Sequence, residues 1–181
     1  MTNEENVAVL GSGCFWCAEA IFQDLDGILN VEPGYAGGTV ADPSYEQVCT
    51  GKTGHAEVVR ITFDPAKITY RDILAVFFST HDPTTLNRQG NDIGTQYRSV
   101  IFYMTEEQHH IAEEFIKELT NKKYYKNPIV TSIEQYRSFY SAEEYHKNYF
   151  KNNPNNPYCQ FVIAPKLDKF QKQFFKIIRS T

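Results

Sequence analysis

The sequence predicts an α+β fold, and three observations predict it. Short β-branched and apolar runs alternate with stretches of helical period. The two kinds do not follow the strict strand-helix-strand order of a parallel sheet, so helices packed against a mixed sheet are expected. No repeat, linker or compositional break divides the 181 residues, so 1–181 reads as a single domain, long enough to bury a substantial core.

The elements follow in order. Val7-Ala8-Val9-Leu10 is an apolar run cut off by Gly11 and Gly13, a strand feeding a turn. From Cys17 to Asp24 the chain has good helix formers and no Gly or Pro, which places Cys14 where a helix begins. Gly27 ends that helix and residues 28–32 resume as a strand. Residues 33–44 carry Pro33, Gly34, Gly37, Gly38 and Pro43 and are expected to be loop. Residues 45–49 allow one short helix. Residues 56–63 alternate as a strand, stopped by Asp64-Pro65. Thr69 and Asp72 are spaced as a capping box before a helix with Ile73, Leu74, Phe77 and Phe78 on one face. Residues 81–98 show no usable period, and so long a structureless stretch inside a compact domain is usually functional. Residues 100–103 form a strand, and a helix from Thr105 to about Lys122 turns Ile111, Phe115, Ile116 and Leu119 inward. A strand at 129–135, a short helix at 142–151, an Asn/Pro loop at 152–157 and a last helix from Lys166 complete the chain. Leu167, Phe170, Phe174 and Ile177 are the apolar stripe of that last helix, and its lysines lie on other faces.

Bulk properties exclude several classes. A formal charge of −4 gives no electrostatic case for nucleic acid or an anionic membrane. No apolar run approaches the ~18 residues of a membrane span. Residues 1–5 are acidic and lack the basic and apolar parts of a signal peptide, so a cytoplasmic protein is expected. Four cysteines are too few for a disulfide scaffold and point to catalysis, redox chemistry or metal. The 12 tyrosines offer hydroxyls inside apolar surroundings, as a pocket for one polar atom requires.

Cys14 is the residue to explain. At a helix start, unpaired N–H groups and the dipole favour a thiolate. Gly11 and Gly13 let a substrate approach closely, and Phe15 and Trp16 supply aromatic walls. The plain alternative is a cysteine packed in a core. Three ordered segments favour function: Gly13-Cys14-Phe15-Trp16 with Glu19; Tyr45 with Cys49-Thr50-Gly51-Lys52-Thr53-Gly54-His55-Ala56-Glu57; and Gln89-Gly90-Asn91-Asp92-Ile93-Gly94-Thr95-Gln96-Tyr97-Arg98-Ser99. Together they resemble the peptide methionine sulfoxide reductases of A type, over roughly residues 5–165.

That resemblance implies a ferredoxin-like two-layer sandwich with additional helices and long loops, which periodicity alone does not give. It implies reduction of the S epimer of methionine sulfoxide, free or in oxidised proteins, and so protein repair under oxidative stress. The chemistry needs a soft nucleophile and an acid that turns oxide into a leaving group. By resemblance Cys14 is the nucleophile and Glu57 the acid, its pKa raised by an apolar setting that Val58 and Val59 suit. Tyr45 and Tyr97 match the tyrosines that bond the sulfoxide oxygen, Asp92 the carboxylate that orders them, and Phe15 and Trp16 the walls around the methyl group. No cofactor is implied.

Attack leaves Cys14 as a sulfenic acid, which a second thiol converts to a disulfide for thioredoxin or a similar dithiol to reduce. Many members of the family use cysteines in a Gly-rich C-terminal tail; here Cys159 is near that place, but the chain continues into a helix. Cys17 lies about one turn from Cys14, within disulfide range, and is preferred; Cys159 remains open, and Cys49 reads as structural. Two further readings stand beside this one: a thioredoxin-like dithiol oxidoreductase using Cys14 and Cys17, and a noncatalytic module binding methionine peptides.

Other signals fail on inspection. Gly51-Lys52-Thr53 ends like a phosphate loop, but Glu46 stands where that loop needs glycine. His55-Ala56-Glu57 resembles a zinc deaminase motif without its downstream Cys-x-x-Cys. A zinc site from the four cysteines has only one pair at ligand spacing, with two bulky aromatics in the gap, so no metal is expected. His81, His109, His110 and His146 show no ligand spacing.

Overall fold

A computed structural model describes residues 6–178; the acidic stretch 1–5 lies outside them. The fold is α+β, built on one six-stranded sheet. The strands are β1 (Val7–Ser12), β2 (Ile28–Ala36), β3 (Ala56–Phe63), β6 (Ser99–Tyr103), β7 (Ser132–Gln135) and β8 (Phe139–Ser141), with β4 (Arg88–Gln89) and β5 (Asp92–Ile93) forming a separate small hairpin. The sheet order is β7-β6-β1-β3-β2-β8, antiparallel except for the β6/β7 pair. The helices are α1 (Phe15–Gln23), α2 (Tyr45–Cys49), α3 (Tyr70–Ser79), α4 (Glu106–Asn121), α5 (Tyr149–Asn152) and α6 (Ala164–Gln173). No helix among the described residues is long and apolar enough to cross a membrane.

Period-2 alternation sorts the strand side chains into two clusters. Ala8, Leu10, Val59, Ile61 and Ile101 face the larger core with Phe15, Ile21, Phe22, Ile73, Leu74, Phe77 and Phe78 from α1 and α3. Val7, Val9, Ala56, Val58, Val100 and Phe102 face the smaller one. Glu57 lies between Ala56 and Val58 and therefore points to the helix side, beneath the start of α1. The Thr69–Asp72 capping box has both arms, and Thr105 caps α4 by accepting the Gln108 N–H.

Several expectations need correction. Residues 33–36 are strand, not loop: Gly34, Tyr35 and Ala36 pair with β3 on one side and β8 on the other. Two-sided pairing outweighs the breaker composition, and β8 itself was not expected. Glycine at 34 is required by close approach, since a Cβ there would collide with the Phe139 ring and lie 2.6 Å from the Tyr140 carbonyl oxygen. Gly34→Ala is expected to destabilise the protein by about 1–3 kcal/mol, the range for overpacking, read as a lower urea midpoint at unchanged slope. The helix expected over 142–151 is instead a 3₁₀ turn at Glu144–His146 and α5, separated by Asn148 in the left-handed region (φ 53°). The unpatterned stretch 81–98 contains the β4/β5 hairpin and a 3₁₀ turn at Thr95–Tyr97. The last helix begins earlier, through a π-helical turn at Cys159–Ile163, and ends at Gln173, so Phe174 and Ile177 lie beyond it.

Candidate active site

The end of β1 delivers Cys14 to the N-cap of α1. Gly13 takes φ 97° to make that turn, a conformation costly for any residue with a Cβ. One turn on, Cys17 lies beside Cys14, with the Cys17 N–H donating to the Cys14 carbonyl at 3.2 Å. Cys14, Cys17 and Cys159 share a buried cluster with Ala20 and Ile163. All four cysteines are free thiols, and Cys49 is exposed at the end of α2, which does not fit a packed structural role.

Glu57 approaches from β3. Its Oε1 accepts the Phe15 N–H at 3.2 Å, at the opening of α1, while Oε2 is buried with no hydrogen-bond partner among the described residues. Burial pushes its pKa up to about 8; the Phe15 N–H opposes that rise, and the charges of Asp92 and Cys17 add to it. At neutral pH the carboxyl is therefore mostly protonated, with Oε2 free to donate. Burial, followed by the Glu57 charge, also raises Tyr45 and Tyr97, so both remain O–H donors. Tyr45 opens α2, where its own N–H donates to Glu143 Oε2 at 3.1 Å. Tyr97 ends the 3₁₀ turn after the β4/β5 hairpin. Asp92, on that hairpin, accepts the Tyr158 hydroxyl at 2.7 Å.

The expected thiolate at Cys14 is not what the site holds at rest. Burial raises the Cys14 thiol, reinforced by its hydrogen bond to Cys17 and by the Glu57 charge, and this outweighs the helix start. Cys17 is the more acidic thiol of the two, brought down to about 7 by the bond from Cys14 and then by Lys166 and the Tyr158 hydroxyl, with burial opposing them. Once Glu57 is protonated its charge no longer holds the proton on Cys14, while burial and the bond to Cys17 still do.

Glu143, His146 and Tyr149, which carried no sequence signal, complete the pocket around residues of the motifs. Trp16 stacks on Tyr149 with ring centres 3.7 Å apart and donates its Nε1–H to His146 Nδ1 at 2.9 Å. His146 is fully buried and also lies against Phe15 and Tyr45. Glu143 accepts the Tyr35 hydroxyl at 3.0 Å, tying the β2 strand to the same wall. Glu19 is buried and accepts the N–H groups of Asn148 and Tyr149, which holds Tyr149 against Trp16. Buried His55 is part of the frame: its Nδ1 accepts the Gly38 N–H, and its Nε2 meets the Val40 carbonyl. Among the described residues no three His, Cys, Asp or Glu side chains converge as a metal site.

A model of the family "Peptide methionine sulfoxide reductase" matches residues 6–178. The chain belongs to this family. Proteins named peptide methionine sulfoxide reductase MsrA from Deinococcus radiodurans and Sulfolobus acidocaldarius are each 56% identical to it. The matches cover 92% of this chain and 81% of the first relative, and 93% and 94% for the second. Among solved structures, Mxr1 from Saccharomyces cerevisiae in reduced form superposes with a TM-score of 0.73 at 39% identity, covering 84% of this chain and 88% of that one. Mxr1 in complex with Trx2 matches at a TM-score of 0.51 and 30% identity, over 79% and 83%. Family membership does not favour a general dithiol oxidoreductase or a noncatalytic binding module.

Proposed function

We propose that the chain reduces the S epimer of methionine sulfoxide, free or in oxidised proteins, with Cys14 as nucleophile and Glu57 as proton donor. The observation that carries this is the buried, unpartnered Glu57 Oε2, on a carboxyl whose pKa burial raises to about 8, beside a buried thiol at a helix start. Tyr45 and Tyr97 offer the sulfoxide oxygen two further donors, Asp92 orders the far side of the site, and Phe15 and Trp16 wall the methyl group.

In the chemical step Cys14 loses its proton to solvent and its sulfur attacks the sulfoxide sulfur, while Glu57 protonates the oxygen. That hydroxyl then passes to the Cys14 sulfur as the bond between Cys14 and the methionine sulfur breaks, and Glu57 regains a proton from solvent. Cys14 ends as a sulfenic acid and methionine leaves. The Cys17 sulfur, as thiolate, then attacks the Cys14 sulfur and displaces hydroxide, which takes a proton from solvent and leaves as water, forming a disulfide. A dithiol supplies the two electrons that restore both thiols. The Mxr1 complex with Trx2 supports thioredoxin in that part. A thiol turnover of this kind suits the cytoplasm.

Cys17 is preferred over Cys159 as the resolving thiol because its pKa is brought down to about 7 while burial raises that of Cys159, and because it lies one helical turn from Cys14. Cys159, buried in the same cluster, is the second candidate. One equivalent of methionine sulfoxide without reductant is expected to release one methionine per chain and leave a Cys14–Cys17 bond, mapped by mass spectrometry after alkylation. A Cys14–Cys159 bond with Cys17 alkylated would reverse the order.

The chain is read as one catalytic domain. Its β1-α1-β2-β3-α3-β6 core is read as a ferredoxin-like two-layer sandwich with additional helices, supported by the antiparallel β6-β1-β3-β2 order and by α1 and α3 on one face.

A further inference from the structure

A second concavity lies beside this site. A cleft of about 690 Å³ opens between the end of α3, the loop before β4, the turn after α4 and one face of α6. Phe78 and Phe170, both buried, form its floor, and Lys126, Lys166 and Lys169 line its sides. The single carboxylate among its lining residues, Asp82, already accepts the N–H and hydroxyl of Thr84. Among the described residues none of the three lysines is in an ion pair. In a chain of net charge −4, three lysines against the single Asp82 carboxylate leave the cleft with an excess of positive charge, a local field of opposite sign. The cleft also reaches the site: Gln89 lines it, and a Cβ at Gly13, next to Cys14, would meet Gln89 Cβ at 2.7 Å. Lys166, on its other side, acts on Cys17.

We infer that this cleft holds the flank of a peptide substrate and selects acidic residues near the methionine sulfoxide. The inference rests on the function proposed for Cys14 and Glu57. The cleft has the volume of a short peptide segment. Lysines, as point charges on flexible stems, take carboxylates without strict geometry.

Two readouts test this. The first compares kcat/KM for capped pentapeptides with central methionine sulfoxide flanked by four Glu or four Lys, with dithiothreitol as reductant, in the wild type and in the double variant K126E/K169E. The wild type should favour the acidic peptide by roughly fivefold to tenfold at low salt, the scale of two or three exposed charge pairs. The double variant should lose that preference while reducing free methionine sulfoxide at the wild-type rate. Equal kcat/KM for the two peptides, or a preference that survives in the variant, overturns the inference. The second readout is an amide NMR titration with the capped peptide Glu-Glu-Ala-Glu-Glu, which needs no turnover. Shifts should be confined to residues 82–89, 124–127 and 165–173, and equal shifts from acetate at the same carboxylate concentration would also overturn it. Cleft shifts without turnover of any sulfoxide would leave the acidic-peptide site standing and remove the proposed activity instead.

Discussion

Cys14→Ser is expected to abolish sulfoxide reduction while the protein still folds. A serine hydroxyl at neutral pH is almost wholly protonated and is a hard nucleophile, so neither its charge state nor its polarisability suits attack on sulfur. The exchange changes one atom in the buried cluster of Cys14, Cys17, Ala20, Cys159 and Ile163, and the N-cap position is one that serine favours. Stability should therefore stay within about 1 kcal/mol of the wild type. The check is a thermal melt beside a turnover assay. A folded Cys14→Ser protein with full activity would remove Cys14 from the mechanism.

Glu57→Gln should slow the chemical step by about 10²-fold or more, the scale of general acid catalysis. The amide still donates a hydrogen bond but has no proton to release. In the wild type the single-turnover rate should fall as pH rises through about 8, where Glu57 loses its proton, and the variant should lack that limb. Stability carries the same signature. Glu57 binds its proton more tightly folded than unfolded, so its contribution is fully present below the ordinary carboxylate value near 4.5 and is lost as pH rises through about 8. Glu57→Gln should gain stability relative to the wild type between pH 5 and pH 9. Single losses of Tyr45 or Tyr97 should cost less, because each leaves the other hydroxyl in place.

The contrast between these residues and their neighbours shows what a sequence discloses. Residues whose position follows from local rules were legible: the capping box at Thr69 and Asp72, the strand at 56–63, and Cys14 at a helix start. Cys14, Glu57, Tyr45, Asp92 and Tyr97 come from three separate segments. Only the ordered family motifs connected them; no period or spacing predicts that 14 meets 57. The far wall was illegible for the same reason. His146, Tyr149 and Tyr158 reach the site because the C-terminal third folds back over α1, and nothing in their local pattern distinguishes them from other aromatic residues. The strand at 33–36 was hidden because Pro33 and Gly34 read as breakers until β8 supplies a second partner. The charge on Cys14 was misjudged because the helix start is visible in sequence and the burial that opposes it is not.

The central claim is that this site transfers oxygen from one epimer of methionine sulfoxide to Cys14. Its most direct test is to follow a mixture of both methionine sulfoxide epimers by NMR with the protein and dithiothreitol. The S-epimer resonances should disappear as methionine grows in to half the total, and the R epimer should remain. Loss of both epimers at equal rates, loss of the R epimer alone, or no methionine at all would contradict it.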